Sequence, residues 1–243
     1  MDISIRFYEE LNDLIPRIHR KKTIRHTLLT PTSIKDVVES FGVPHTEVDL
    51  ILVNGQSVGF EHIPGPGDRV SVYPVFESLD IASVTKLRPA PLRKAMFILD
   101  VHLGKLARLL RMYGFDSLYQ NDYSDPWIIE TALKEERIIL TRDLGILKNK
   151  RVTHGYYVRS QDPAKQIEEV IRRFDLEGQI NPLSRCINCN GRIVTVEKEA
   201  IKHLLKPKTR MHYHEFFRCS GCDKIYWEGS HFKKMMEHFK GKD

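Results

Sequence analysis

The chain has 243 residues, 41% hydrophobic and 29% charged, with a formal net charge of +6, a composition that suits a soluble protein of one large domain or two to three small ones. It holds no apolar run of the roughly 18 residues that a membrane span needs, and its start, MDISIRFYEE, lacks the basic-then-apolar layout of a signal peptide, so a cytoplasmic protein without membrane contact is expected. The charge is uneven: residues 1–80 carry 8 Lys and Arg against 12 Asp and Glu, residues 81–182 carry 17 against 13, and residues 183–243 carry 13 against 7. The C-terminal two-thirds therefore suit a polyanion, since Lys and Arg gain affinity by releasing counterions from a phosphate backbone; a basic surface kept for solubility would have the same charge.

Strand-like alternation runs through ISIRFY, KTIRHTLL, DLILVNG and DRVSVYPV, and SIKDVVESFG predicts one helix. Thr32 or Ser33 can cap that helix, Ile34, Val37, Val38 and Phe41 share a face, and Gly42 can take the left-handed stop. Strand, strand, helix, strand, strand is the order of a β-grasp, and LILVNGQSV…PGPGDRVSVYPVF resembles the end of ubiquitin-like sulfur-carrier domains. Their free Gly-Gly tail is missing, because the chain continues through ESLDIASVTKLRPAPLRKA, so a carrier role is not expected. Its Pro, Lys and Arg make residues 81–94 a predicted linker.

Strands and helices then alternate: AMFILD, LGKLARLLRMYG, DSLYQ, DPWIIETALKEER, RIILTRD, LGILKNK, GYYVRS and DPAKQIEEVIRRF. This predicts a parallel sheet flanked by helices, with Leu103, Leu106, Ala107, Leu110 and Tyr113 on a buried helix face. Asp125-Pro126 and Asp162-Pro163 each place an acid suited to capping before a proline suited to the first helical turn.

Ligands of parallel sheets bind beyond the carboxyl ends of the strands, which draws notice to the acids there. Asp100 ends AMFILD, Asp143 ends RIILTRD, and Asp122 and Asp125 lie in the loop after DSLYQ. Carboxylates converging at that edge repel one another unless a hard cation such as Mg²⁺ or Mn²⁺ neutralises them. Asp125 could instead serve as a helix cap, Asp122 as a loop acid and Asp162 as a cap. Asp100 and Asp143 have no obvious local partner. Glu130, Glu135 and Glu136 fit a solvated helix face, and His102 a helix start. Lys105, Arg108 and Arg111 on the first helix of this segment, and Arg142 beside Asp143, could meet phosphates. Neither GxGxxG nor GxxxxGKS/T occurs, so the phosphate cradles of dinucleotide and P-loop proteins are missing.

The run from Phe97 to Leu147, FILDVHLGKLARLLRMYGFDSLYQNDYSDPWIIETALKEERIILTRDLGIL, resembles the Mut-seven C-terminal RNase family, a PIN-like fold. SRCINCNGRI…EFFRCSGCDKIYWEGSHFKKM resembles the zinc element that completes that family, and residues 1–80 resemble the ubiquitin-like domain fused before it. The resemblance implies an acidic metal site on Asp100, Asp125 and Asp143, with Asp122 or Asp162 as candidates for a fourth acid.

All four cysteines fall in two CxxC pairs, Cys186 with Cys189 and Cys219 with Cys222, separated by 29 residues. Two such knuckles suit one structural Zn²⁺ whose shell four thiolates close. Gly191 and Gly221 would supply tight turns, His203, His212, His214 and His231 are spare, and Tyr226 and Trp227 suit either a small core or base stacking.

The expected architecture is thus a multidomain α/β chain: a ubiquitin-like β-grasp (1–80), a linker (81–94), a PIN-like parallel-sheet α/β domain (95–181) and a small zinc-ribbon-like module (182–243). The expected function is Mg²⁺- or Mn²⁺-dependent RNA hydrolysis, with RNA as partner and a protein partner available to the ubiquitin-like domain. The alternative is an RNA-binding adaptor that does not cleave.

Overall fold

The computed structural model describes residues 1–74, 84–87, 95–229 and 232, so most of the predicted linker, and His231, lie outside the described residues. The chain divides into two compact units, residues 1–106 with 118–178 and residues 107–117 with 179–243. Among the described residues no helix is long and apolar enough to cross a membrane.

The first unit begins with β1 (Asp2–Phe7), β2 (Ile24–Thr27), α1 (Ile34–Ser40), β3 (Val48–Val53), β4 (Gln56–Ser57) and β5 (Arg69–Pro74). Their sheet runs β2-β1-β5-β3-β4, with β1 parallel to β5 and the other pairings antiparallel, which is the β-grasp arrangement. Ile3, Ile5 and Phe7 alternate inward from β1 and meet Ile34, Val37 and Val38 of α1. Ser33 caps α1 by accepting the Asp36 N–H at 3.2 Å, and Gly42 follows at φ +99°, a conformation that costs glycine least. The two-residue β4 was not expected, being too short for alternation to show.

Next come β6 (Met96–Leu99), α2 (Gly104–Met112), β7 (Asp116–Leu118), α3 (Asp125–Glu135), β8 (Ile138–Thr141), α4 (Leu144–Lys148), β9 (Gly155–Tyr157) and α5 (Pro163–Arg173). The sheet order is β7-β6-β8-β9, with β6, β8 and β9 parallel. Every residue of β8 is buried, which explains its unbroken apolar run: a parallel strand covered on both faces has no polar side. Burying each of Phe97, Ile98 and Leu99 contributes about 1.5–3 kcal/mol. From β6 the chain moves one way to β7 and the other way to β8, so the crevice beyond the ends of β6 and β8 is the topological switch point of the sheet.

The second unit takes in the end of α2 and the start of β7, followed by β10 (Ile193–Val196), α6 (Lys198–Ile201), α7 (Pro207–His212), β11 (Phe216–Cys219) and β12 (Ile225–Tyr226). β10, β11 and β12 form an antiparallel sheet beside a small core of Ile201, Leu205 and Phe216, against which Tyr213 and Trp227 pack. Gly114 ends α2 at φ +93°, where a Cβ would lie 2.1 Å from the Asn181 carbonyl oxygen; only glycine fits.

Candidate active site and metal centre

Asp100 directly follows β6, is 4% exposed, and begins a 3-10 turn over Val101–Leu103. Its Oδ1 accepts the Val101 N–H at 2.5 Å and its Oδ2 accepts the Thr141 hydroxyl at 2.8 Å. The same Thr141 oxygen accepts the Asp143 N–H at 2.8 Å, so one hydroxyl at the end of β8 ties Asp100 to Asp143. Asp143 then caps α4 by accepting the Gly145 N–H at 2.6 Å. Each carboxylate offers about four lone-pair sites, so acceptor capacity remains on both.

Asp125 completes the group. The residue in the cap position of α3 is Ser124, and Asp125 is the first helical residue, with no side-chain capping bond at this terminus. The roles suggested by sequence are thus exchanged: Asp125 does not cap, whereas Asp100 and Asp143 do have local N–H partners. Partial burial, then the negative charges of Asp143 and Asp100, raise the Asp125 pKa above the ordinary carboxylate value. Three elements thus bring three acids within electrostatic reach at the switch point. Asp122 lies exposed in the turn before α3 and is not among the charges that raise Asp125. Asp162 caps α5 by accepting the Ala164 N–H at 2.8 Å.

The basic residues divide. Lys105 and Arg108 are exposed on α2, as a phosphate contact requires. Arg111 is 4% exposed, and its guanidinium donates to the carbonyls of Ser117 (2.8 Å), Asn188 (3.0 Å) and Ile187 (3.4 Å). The expectation that it meets phosphate is corrected: the buried group is spent on backbone carbonyls, at Ser117 and inside the first CxxC. Arg142 is half-buried, and its Nη1 donates to the carbonyls of Val158, Arg159 and Ser160 at 2.6–2.9 Å and clamps the loop after β9. A sequence signal for this is hard to see, because the acceptors are main-chain atoms.

The four cysteine sulfurs in the second unit lie within 4.8 Å of one another, a group that could hold a metal such as zinc. Cys186 and Cys222 are 3.5 Å apart and Cys189 and Cys219 3.4 Å, near the ~3.8 Å edge of a ZnS₄ tetrahedron with Zn–S bonds of about 2.3 Å. Left-handed residues follow the second cysteine of each pair, Asn190 (φ +66°) and Asp223 (φ +60°). Gly221 lies in a turn as expected, whereas Gly191 serves close packing: a Cβ on it would stand 3.0 Å from the Cys219 sulfur and 3.2 Å from that of Cys189. Burial works to raise the Cys186 thiol, but hydrogen bonding from Tyr226 and nearby N–H groups brings it down to about 6, toward the thiolate that binds metal. His203, His212 and His214 are exposed and take no part in the cysteine group.

A model of the Mut7-C RNAse domain family matches residues 95–239, and a model of the Mut7-C ubiquitin domain matches residues 1–80. No curated protein matches the chain. Among solved structures, SAMP1 from Haloferax volcanii is similar at 13% identity, covering 32% of this chain and 100% of its own, with a TM-score of 0.26.

Proposed function

We propose, from the premise that the chain belongs to the Mut7-C RNAse domain family, that it hydrolyses RNA phosphodiester bonds with the help of Mg²⁺ or Mn²⁺. The observation that carries this reading is the electrostatic convergence of Asp100 and Asp143 on Asp125 at the switch point of a parallel sheet. Mutual repulsion is relieved by a cation, and an all-oxygen donor set suits a hard one, so the donors fit the ion in chemical kind. Such an ion, when bound, activates water and offsets the charge developing on phosphate. The chain's own part is to tie the Asp100 carboxylate to the backbone of Asp143 through Thr141, and to draw the RNA backbone to exposed cations such as Lys105 and Arg108.

On the same reading Cys186, Cys189, Cys219 and Cys222 hold a structural Zn²⁺ with no open position for chemistry, and thiolates kept for metal suit a reducing compartment such as the cytoplasm. Residues 1–80, 95–181 and 182–243 act as ubiquitin-like, nuclease and zinc-ribbon-like domains, the first with a face for a protein partner. The test is cleavage of mixed RNA across a Mn²⁺ titration. Parent protein should cleave, and Asp100→Asn and Asp143→Asn should each fall at least 100-fold while still binding RNA. RNA binding by the parent with no cleavage at any Mn²⁺ concentration would replace this reading with the non-cleaving adaptor.

A further inference from the structure

Glu47 lies in the β-grasp region, in the 3-10 turn His45–Glu47 before β3, and is fully buried at 0% exposure. A carboxylate in that position is costly unless it is paired. Both partners come from the α/β region of the same unit. Oε1 accepts the Tyr157 N–H at 2.6 Å, and Oε2 accepts Nη2 of Arg159 at 3.1 Å. An apolar side chain would fill this place at lower cost, so the charge has to be explained by what it holds.

From Glu47 hydrogen bonds and short stretches of main chain lead to the acids. Tyr157 and Arg159 flank Val158, and the carbonyls of Val158, Arg159 and Ser160 converge on Nη1 of Arg142. Arg142 sits between Thr141, whose hydroxyl donates to Asp100, and Asp143, whose N–H that hydroxyl accepts. A second line reaches the same segment from its far end. Lys148, the last residue of α4, donates to the Glu39 carbonyl at 3.0 Å, and His45 bridges the Glu39 carboxylate (2.6 Å) and the Val152 carbonyl (2.8 Å). A five-residue helix cannot keep its own geometry in water, so α4, which Asp143 caps, depends on these anchors.

We propose that Glu47 is a positioning residue for the acid site: through Arg159, Tyr157 and Arg142 the β-grasp region sets where Asp143 stands relative to Asp100, and so sets the affinity of the site for a divalent cation. This rests on the reading of the three acids as a metal site. It gives the fused ubiquitin-like region a task within the chain, independent of any outside partner.

The test uses the full-length, zinc-loaded protein and measures Mn²⁺ affinity directly, by water-proton relaxation or calorimetry, with thermal melts alongside. Glu47→Gln keeps the shape and can still accept the Tyr157 N–H, but it loses the charge that holds Arg159; the dissociation constant for Mn²⁺ should rise about tenfold or more. Arg159→Lys, which keeps the charge but not the fork, should raise it several-fold and decides the matter if Glu47→Gln does not fold. Val38→Ala, a fully buried cavity variant in the β-grasp core, should lower the melting temperature and leave Mn²⁺ affinity unchanged. Parent-like affinity in folded Glu47→Gln, or a loss in Val38→Ala as large as that in Glu47→Gln, overturns the proposal. Parent protein whose Mn²⁺ uptake matches that of Asp143→Asn instead overturns the acid-site reading, and the proposal falls with it.

Discussion

Replacing Arg111 separates a phosphate contact from a buried strut. Arg111→Met keeps most of the volume and the aliphatic stem but removes the guanidinium, leaving the Ser117 and Asn188 carbonyls without the donors they now have at 2.8 and 3.0 Å. Hydrogen bonds from charged groups contribute about 1.5–3 kcal/mol each, and the two together set a loss of about 3–6 kcal/mol. A surface arginine replaced in the same way would cost within about 0.5 kcal/mol. At about 4–8 °C per kcal/mol for a unit of this size, the transition of the second unit should fall by about 12 °C or more. Because Ile187 and Asn188 lie between Cys186 and Cys189, the same variant should release its metal to a coloured chelator faster than the parent. Calorimetry and chelator kinetics on zinc-loaded protein measure both effects. A variant that melts and holds metal like the parent, yet binds RNA several-fold more weakly, would refute the argument and return Arg111 to the RNA-binding surface.

Asp125→Asn should act with opposite sign according to pH and metal. The raised pKa means that the folded state holds the proton more firmly than the unfolded chain; the stability this adds is present in acid and lost as pH rises through the raised pKa. Without metal, the variant should therefore match the parent at acid pH and exceed it at neutral pH by no more than about 0.5 kcal/mol, since Asp125 is exposed, whereas with Mn²⁺ the parent should be the more stable; paired melts at the two pH values check this, and identical differences at both would count against the convergence of the acids. Gly191→Ala should force the Cys189 and Cys219 sulfurs apart and speed metal loss at least tenfold, whereas Gly178→Ala, with no atom within 4 Å of the added Cβ, should leave it unchanged.

Much of the fold could be read from local pattern. The alternation in β1 and β5 and the apolar runs of β6 and β8 reflect what each strand touches, and the strand-end positions of Asp100 and Asp143 follow from parallel topology alone. The roles of the acids as caps could not be read, because whether Ser124 or Asp125 occupies the cap position depends on where α3 begins, to within one residue. Nor could the direction of Arg111 be inferred: a cation on a helix looks exposed until the carbonyls of residues 187 and 188, more than 70 positions away, turn toward it. Glu47 is the extreme case, with partners more than 100 positions distant and no periodicity to announce them.

The bond from Tyr157 to Glu47 also bears on solubility. β9 is the last strand of its sheet, and an open strand edge is a template for pairing with another chain. A buried carboxylate on one of its N–H groups, with the His45–Glu47 turn packed against the strand, blocks that edge from within the same molecule. A fragment of residues 95–243, lacking the His45–Glu47 turn, would bare it, and should tend to aggregate through strand addition even where its acids and its fold survive intact.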